Sequence, residues 1–269
     1  MVIKYASLPP VIQALLAGIF TWFITALGAG VIFLKRDINR KILDASLGFS
    51  SGVMISASFF SLLLPAINIA SRHSIPAWIP VSIGFVAGGV FLKLLDFTIP
   101  HLHLFSPVEK AEGLKVKLSK TTLLILAVTL HNIPEGIAIG VAYGSVAIEK
   151  SATLMGAIAL TIGIGIQNFP EGTVISLPLL REGHSRFKSF WYGQLSAVVE
   201  PIGAVLGASL VLLSIKLLPY ALSFAAGAMI YVVIEELIPE SQAGENADLS
   251  TLFAILGFVI MMILDISLG

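Results

Sequence analysis

Eight long apolar runs constrain this chain more than any other feature of its sequence. A helix needs about 20 apolar residues to cross the hydrocarbon core of a bilayer, which is about 30 Å thick. Runs of this length lie near 11–34, 45–68, 77–99, 121–143, 152–180, 189–213, 217–238 and 250–268. Because lipid offers no hydrogen-bond partner to an open backbone, such runs fold as helices. We therefore predict an all-α polytopic membrane protein, one domain over residues 1–269 with eight transmembrane helices.

The composition agrees with a membrane protein and excludes other classes. Apolar residues make up 57% of the chain and charged residues 12%, against about 45–50% and about 25% in soluble domains. The formal net charge is zero, which gives no basis for binding nucleic acid. No cysteine is present, so thiolate metal ligands are excluded. The expected surroundings are a lipid bilayer, and the compact chain with short termini is typical of a bacterial inner (plasma) membrane.

Lysine and arginine are distributed unevenly between the two predicted sides of the membrane. The first, third and fifth connections carry eleven: Lys35, Arg36, Arg40, Lys41, Lys110, Lys115, Lys117, Lys120, Arg181, Arg186 and Lys188. The N-terminus and the even-numbered connections carry four: Lys4, Arg72, Lys150 and Lys216. Positive residues are retained on the cytoplasmic side. We therefore predict that the odd-numbered connections are cytoplasmic and that both termini are outside.

Three glutamates fall deep inside predicted spans: Glu135, Glu171 and Glu200, in the fourth, fifth and sixth runs. A carboxylate near the bilayer centre costs at least about 2.5 kcal/mol on insertion scales, so it is a functional hypothesis by default. Neighbouring carboxylates repel one another unless they are protonated or share a cation. The three together favour a cation site inside the membrane.

Two of these glutamates belong to related motifs, HNIPEG at 131–136 and QNFPEG at 167–172. Pro134 and Pro170 each remove a backbone hydrogen bond and should kink their helices. The fourth and fifth spans are consecutive and hence antiparallel. A shared motif on antiparallel helices indicates an inverted repeat with a site near the midplane.

The spacing within each motif places its polar residues on one side of a helix. The candidate ligands are His131, Asn132, Glu135, Gln167, Asn168 and Glu171. The histidine and glutamate of the first motif, and the glutamine and glutamate of the second, are four residues apart and share a helix face. Each asparagine lies about 100° round the helix. Imidazole, carboxylate and amide oxygen suit zinc, iron(II), manganese and cobalt.

These segments resemble the Zrt/Irt-like (ZIP) family of divalent-metal transporters, and in particular its GufA-type branch. The resemblance covers nearly the whole chain. It rests most specifically on HNIPEGIAIGVAYG and GIGIQNFPEGTVISLPL, and further on SSGVMISASFFSLLLPAI, LLDFTIPHLH, VVEPIGAVLGA and FAAGAMIYVVIEELIPES. It implies two inverted three-helix repeats around two central proline-kinked helices, and transport of zinc, iron(II), manganese, cobalt or cadmium into the cytoplasm. The ion is then cargo, and no cofactor is implied.

The resemblance also assigns roles by position. One metal would be held by His131, Glu135, Gln167 and Glu171, with Met54 completing the set. A second would use Asn132, Asn168 and Glu200, bridged by Glu135 and Glu171. Some relatives carry aspartate where this chain has Asn168. Two dications bring four positive charges against three glutamates, so we expect the second site to be weaker here.

Two other functions remain open from the sequence. An intramembrane metal-dependent hydrolase would also place histidine and glutamate on buried helices, although a His-Glu-x-x-His motif is absent. A passive divalent-metal channel could use the same motifs as a carrier. The sequence does not decide between these alternatives.

Several further residues have two interpretations. His101 and His103 form either a metal exit site or an interfacial pair. Asp96, Glu235, Glu236 and Glu240 could line the same exit. Gly203-x-x-x-Gly207 is a close-packing motif that serves either internal packing or a homodimer. Asp44 and Asp265 lie near span ends, where an interfacial position is expected.

Overall fold

The computed structural model describes residues 5–34, 39–72, 75–103, 108–116 and 118–268. Lys35, Arg36, Lys117 and Lys4, which enter the charge count above, lie outside these ranges. Within them the chain is helical, and its one β-type pairing is an isolated bridge between His101 and Glu112. The prediction of an all-α polytopic protein is confirmed.

Eight long helices follow one another within the described ranges. They are α1 (Pro10–Phe33), α2 (Arg40–Ala70), α3 (Trp78–Thr98), α4 (Lys120–Ile148), α5 (Leu154–Arg181), α6 (Arg186–Leu213), α7 (Ile215–Gln242) and α8 (Ala247–Leu268). Seven of them, all except α5, are long and apolar enough to cross a membrane. Helix α5 has 28 residues, but the polar side chains of its own motif, Gln167, Asn168 and Glu171, lower its hydropathy. The motif thus weakens the apolar signal of the helix that carries it.

The helices pack as two bundles. Helices α1, α4, α5 and α6 form the central bundle, in which α4 packs on α6 and α1 on both α5 and α6. Helices α2, α3, α7 and α8 form the flanking bundle, in which α2 packs on α8 and α3 on α7. The bundles meet where α2 contacts α5 and α7 contacts α4.

An internal exchange of helices relates the two halves of this arrangement. Exchanging α1 with α6, α2 with α7, α3 with α8 and α4 with α5 converts the pairing of α1 with α6 into itself and each other pairing into another of them. The sequence shows the same relation: Gly52-Val53-Met54-Ile55 in α2 corresponds to Gly227-Ala228-Met229-Ile230 in α7. Each stretch is followed by a π-helical segment, Ser58–Leu63 or Val233–Leu237. This is the packing expected of an inverted repeat.

Gly203 and Gly207 serve internal packing. A Cβ atom at Gly207 would lie 2.6 Å from the carbonyl oxygen of Ile137, and one at Gly203 would lie 3.1 Å from the backbone of Gly136. The two glycines thus let α6 lie directly against α4. Of the two interpretations of this motif, the structure supports packing within the chain.

Asp44, near the start of α2, is held by two partners. It is fully buried, with Arg40 Nε donating to its Oδ1 at 2.6 Å and Asn246 Nδ2 to its Oδ2 at 3.0 Å. The carboxylate therefore ties the start of α2 to the connection between α7 and α8. The expected position near the end of a span holds, and the neighbouring connection covers the carboxylate there.

Candidate metal site

The two motifs lie at the centre of the central bundle. Both helices continue through their prolines, Pro134 in α4 and Pro170 in α5. The glycine that ends each motif permits a close helix contact. A Cβ atom at Gly136 would lie 2.5 Å from the carbonyl oxygen of Glu200, and one at Gly172 would lie 2.1 Å from that of Thr25. Each motif is thereby pressed against a neighbouring helix, α6 for the first and α1 for the second.

All eight residues predicted as ligands are buried. They are Met54, His131, Asn132, Glu135, Gln167, Asn168, Glu171 and Glu200. The residue most exposed among them, Glu171, has 6% of its surface accessible. A buried carboxylate or amide needs a partner because removal from water is costly. Each buried polar atom of the site therefore needs a hydrogen-bond partner or a bound ion.

Some polar atoms are paired across helices. Gln167 Nε2 donates to Glu135 Oε1, which joins α5 to α4. Asn168 Nδ2 donates to both carboxylate oxygens of Glu200, at 2.8 Å and 3.0 Å, and joins α5 to α6. These contacts bring the two motifs and Glu200 into one polar group.

Other atoms of the same residues are buried without a hydrogen-bond partner. They are both amide atoms of Asn132, Oε2 of Glu135, Oε1 of Gln167, Oδ1 of Asn168 and Oε2 of Glu171. More than about 90% of such buried groups are paired in proteins, and an unpaired one costs about 1–3 kcal/mol. All but one of these atoms are oxygens. A bound cation would satisfy oxygens, so the donor set fits a divalent ion as cargo.

His131 joins the central bundle to the flanking bundle. Its Nε2 lies 2.6 Å from Oε2 of Glu236 in α7. Among the described residues, groups of three His, Asp or Glu side chains with ligand atoms within 4.8 Å of one another occur, but none includes a motif residue. The structure thus brings Glu135, Gln167, Asn168 and Glu200 together, and it places His131 against the flanking bundle.

A second polar group, the inner cluster, is built from Asp96, His101, His103, Glu112, Glu235 and Glu236. It lies at the inner end of the molecule, defined as the end with the odd-numbered connections. His101 Nε2 lies 3.0 Å from Asp96 Oδ1, and His103 Nε2 lies 3.4 Å from Glu112 Oε1. His101 is fully buried within the protein.

His103 is surrounded by carboxylates. Its Nδ1 lies 3.6 Å from Glu236 Oε2 and its Nε2 lies 3.6 Å from Glu235 Oε1. The neighbouring carboxylate of Glu236, with smaller contributions from Glu235 and Glu240, raises the pKa of His103 to about 9 against the opposing effect of burial. The imidazolium form is therefore favoured at neutral pH.

Glu236 connects the two groups. One of its carboxylate oxygens, Oε2, lies near His131 of the central bundle and also near His103 of the inner cluster. From the sequence Glu236 was a candidate for the exit, but its contact with His131 was missed. Helical spacing relates residues of one helix, and it carries no information on which residue of α7 meets α4.

A cavity of about 760 Å³ opens at the outer end, which carries the even-numbered connections. Its walls include Ser61, Arg72, Ser151 and Asp265. Ser61 Oγ donates to Asp265 Oδ1 at 2.6 Å. Asp265 is therefore a wall residue of the cavity, joined to α2, where the sequence suggested a position at the membrane interface.

Comparisons with known proteins agree with this architecture. The family described as "ZIP Zinc transporter" matches residues 106–265. Zinc transporter ZIP11 of Homo sapiens is 39% identical over 96% of this chain and 98% of its own length. Zinc transporter GufA of Myxococcus xanthus is 36% identical over 95% of this chain and 98% of its own length. Zinc transporter ZIPB of Bordetella bronchiseptica is 34% identical, over 95% of this chain and 81% of its own.

Proposed function

The chain belongs to the ZIP zinc transporter family, and from this premise we propose that it carries zinc across the membrane into the cytoplasm. It is a metal transporter rather than an enzyme. The observation that carries the proposal is the group of unpartnered oxygens contributed by Asn132, Glu135, Gln167, Asn168 and Glu171. Buried oxygens of this kind are ligands for a divalent cation.

The first metal position uses His131, Glu135, Gln167 and Glu171, with Met54 at its edge. Binding requires two local changes. Gln167 must turn its carbonyl oxygen, which has no partner, toward the ion. The Nε2 atom of His131 must exchange its contact with Glu236 for the ion. Because the metal needs the neutral imidazole, binding should release a proton when His131 is charged.

The second position, around Asn132, Asn168 and Glu200, should bind more weakly. Asn168 already donates to both oxygens of Glu200, so the carboxylate is partly satisfied within the protein. Two dications also exceed the charge of three glutamates by one. We expect Asn168→Asp to raise zinc bound at micromolar ion from one to two per chain, measured by equilibrium dialysis. Two zinc ions per unaltered chain would refute the charge argument.

Transport requires access from each side in turn. We propose that the central bundle moves against the flanking bundle, since the site belongs to one bundle and His131 contacts the other. Zinc would arrive through the outer cavity and leave past Glu236 and the inner cluster. The direction, into the cytoplasm, is the one that the family resemblance implies, and the lysine and arginine count predicts that the inner end is the cytoplasmic one. The relatives include animal and bacterial proteins, and the bacterial inner membrane stays a prediction.

Zinc uptake by the purified protein in proteoliposomes tests this function. We expect Glu171→Ala to lower the initial rate by at least about a hundredfold, since it removes a charged ligand from a buried site. Glu109→Ala, which changes an exposed residue of the α3–α4 connection, is the matched control and should retain full uptake. A rate that rises linearly with zinc well past saturation of the site would favour a channel. Cleavage of a substrate without uptake would favour the hydrolase.

A further inference from the structure

The outer cavity lies between the two bundles. Its walls come from α2 and α8 of the flanking bundle and from α4 and α5 of the central bundle. If one bundle moves against the other, the width of this cavity must change. A contact that joins opposite walls at the outer end would resist that change.

An ion pair at the rim of the cavity joins the two walls. Arg72 follows the last turn of α2, and its Nη1 lies 2.9 Å from Oε1 of Glu149, which follows the last turn of α4. The other ion pairs between described residues lie at the inner half of the molecule or within one bundle. The Arg72–Glu149 pair is therefore the described ion pair that links the bundles at the outer end.

Glu149 is held rigidly on its side of the pair. Its Oε1 accepts hydrogen bonds from the backbone N–H of Ser151 at 3.1 Å and from the Ser151 hydroxyl at 2.9 Å. These bonds, with the attraction of Arg72, hold the pKa of the Glu149 carboxyl below its usual range. The short turn that contains both residues joins α4 directly to α5. A pull on Glu149 therefore acts on the two helices that carry the metal motifs.

We propose that the Arg72–Glu149 pair is an outer latch, which joins the bundles at the outer end and must break each time they move to change access to the metal site. This inference rests on the proposed transport function. The Arg72 side chain is 56% exposed, and exposed ion pairs are weak. The latch therefore opens by thermal motion and limits a rate, and it does not prevent movement.

The absence of cysteine from the chain permits a direct test. In the double variant Arg72→Cys/Glu149→Cys the two introduced cysteines are the only thiols, and a short bis-methanethiosulfonate reagent can join them. The spacer is needed because a direct disulfide requires Cα atoms within about 7 Å. Cross-linking should lower zinc uptake by at least about tenfold, since it blocks a required movement. Reduction should restore uptake.

A cross-link within one bundle is the matched control. Lys120 Nζ lies 2.6 Å from Glu182 Oε1, and both residues belong to the central bundle. Cross-linked Lys120→Cys/Glu182→Cys should transport as well as its reduced form. Full uptake by the cross-linked Arg72/Glu149 variant would overturn the latch. Absence of uptake by the unaltered protein would instead overturn the proposed function, and this inference with it.

Changes of charge test the latch without a reagent. Arg72→Gln should raise the uptake rate, because it removes the latch that limits this rate. The increase should be only about two- to threefold, because an exposed ion pair contributes little energy. The reversed pair Arg72→Glu/Glu149→Arg should return the rate toward that of the unaltered protein. If the reversed pair behaves like Arg72→Gln, attraction between these residues does not control the movement and the proposal fails.

Discussion

The exchange of helices that relates the two halves of the molecule also relates its outer end to its inner end. The two ends nevertheless carry different side chains. Asp265 stands eight residues after Gly257 in α8, and Asp96 stands eight after Gly88 in α3. Ser61 stands four residues before Pro65 in α2, and Glu235 stands four before Pro239 in α7. The π-helical segment of α7 is one residue shorter than that of α2, so a count from these prolines differs by one from a count from Gly52 and Gly227. A Ser–Asp pair at the outer end thus corresponds to a Glu–Asp pair at the inner end, where Glu112 joins them.

This difference assigns separate roles to the two ends. The outer pair borders an open cavity and presents one carboxylate to it. The inner pair belongs to a crowded cluster of carboxylates and imidazoles, and Glu236 of that cluster reaches His131. We infer that the outer end attracts ions from solution, whereas the inner end exchanges ligands with the metal site. Three changes test this distinction.

The largest effect is expected at Glu236. Glu236→Gln should lower zinc uptake by about tenfold to a hundredfold, because interactions of charged groups contribute about 1.5–3 kcal/mol each and this carboxylate contacts both His131 and His103. Initial rates in proteoliposomes measure the effect. Glu112→Gln is the matched control, since Glu112 belongs to the same cluster but is half exposed and contacts His103. Equal losses of uptake in both variants would show that the effect of Glu236→Gln does not depend on the contact of Glu236 with His131.

A smaller effect is expected at the outer end. Asp265→Asn should raise the KM for zinc by about threefold and leave the maximal rate unchanged, because a carboxylate at a cavity mouth raises the local cation concentration. The effect should diminish at high salt, which screens such charges. Asp248→Asn, at the opposite end of α8, should leave KM unaltered. A loss of maximal rate as large as that of Glu236→Gln would remove the distinction between the ends.

The smallest effect concerns stability and pH. The pKa of His103 is raised from 6.5 to about 9, so its charged form stabilises the folded protein fully below pH 6.5, and this contribution is lost as pH rises through 9. We expect the melting temperature in detergent to fall by about a few degrees between pH 6.5 and 9.5. His103→Gln should reduce this fall, whereas His184→Gln, whose imidazole contacts Thr121, should retain it. An identical fall in His103→Gln would contradict the assignment.

The helices could be predicted from sequence because the length of an apolar run is a local property. The runs predicted the polytopic class, and the repeated Pro-Glu-Gly placed the two motifs on neighbouring helices. The close contact of Gly136 with Glu200 explains why a glycine follows each of those glutamates. The sequence showed the spacing within a helix and the similarity between helices.

Contacts between distant helices could not be predicted in the same way. The spacing of the motif gave no sign that Nε2 of His131 contacts Glu236, a residue of another helix. The environment of Asp44 depends on Asn246, which is about two hundred residues away in the chain. Each of these contacts depends on the rotation and depth of helices that the apolar pattern leaves free. The sequence named most residues of the inner cluster as candidates for an exit site. The structure showed that they lie together and added Glu112 to them.

The glycines at the helix contacts have a consequence for mutational scanning. A Cβ atom at Gly28 would lie 1.9 Å from Phe169 O, one at Gly52 would lie 1.8 Å from Ala254 O, and one at Gly227 would lie 2.0 Å from Phe85 O. Alanine at any of these positions must push two helices apart. A scan that scores survival would therefore rank these glycines beside the proposed metal ligands, although a glycine has no side-chain atom that could bind zinc. Sensitivity to substitution in this protein reports helix spacing as much as chemistry.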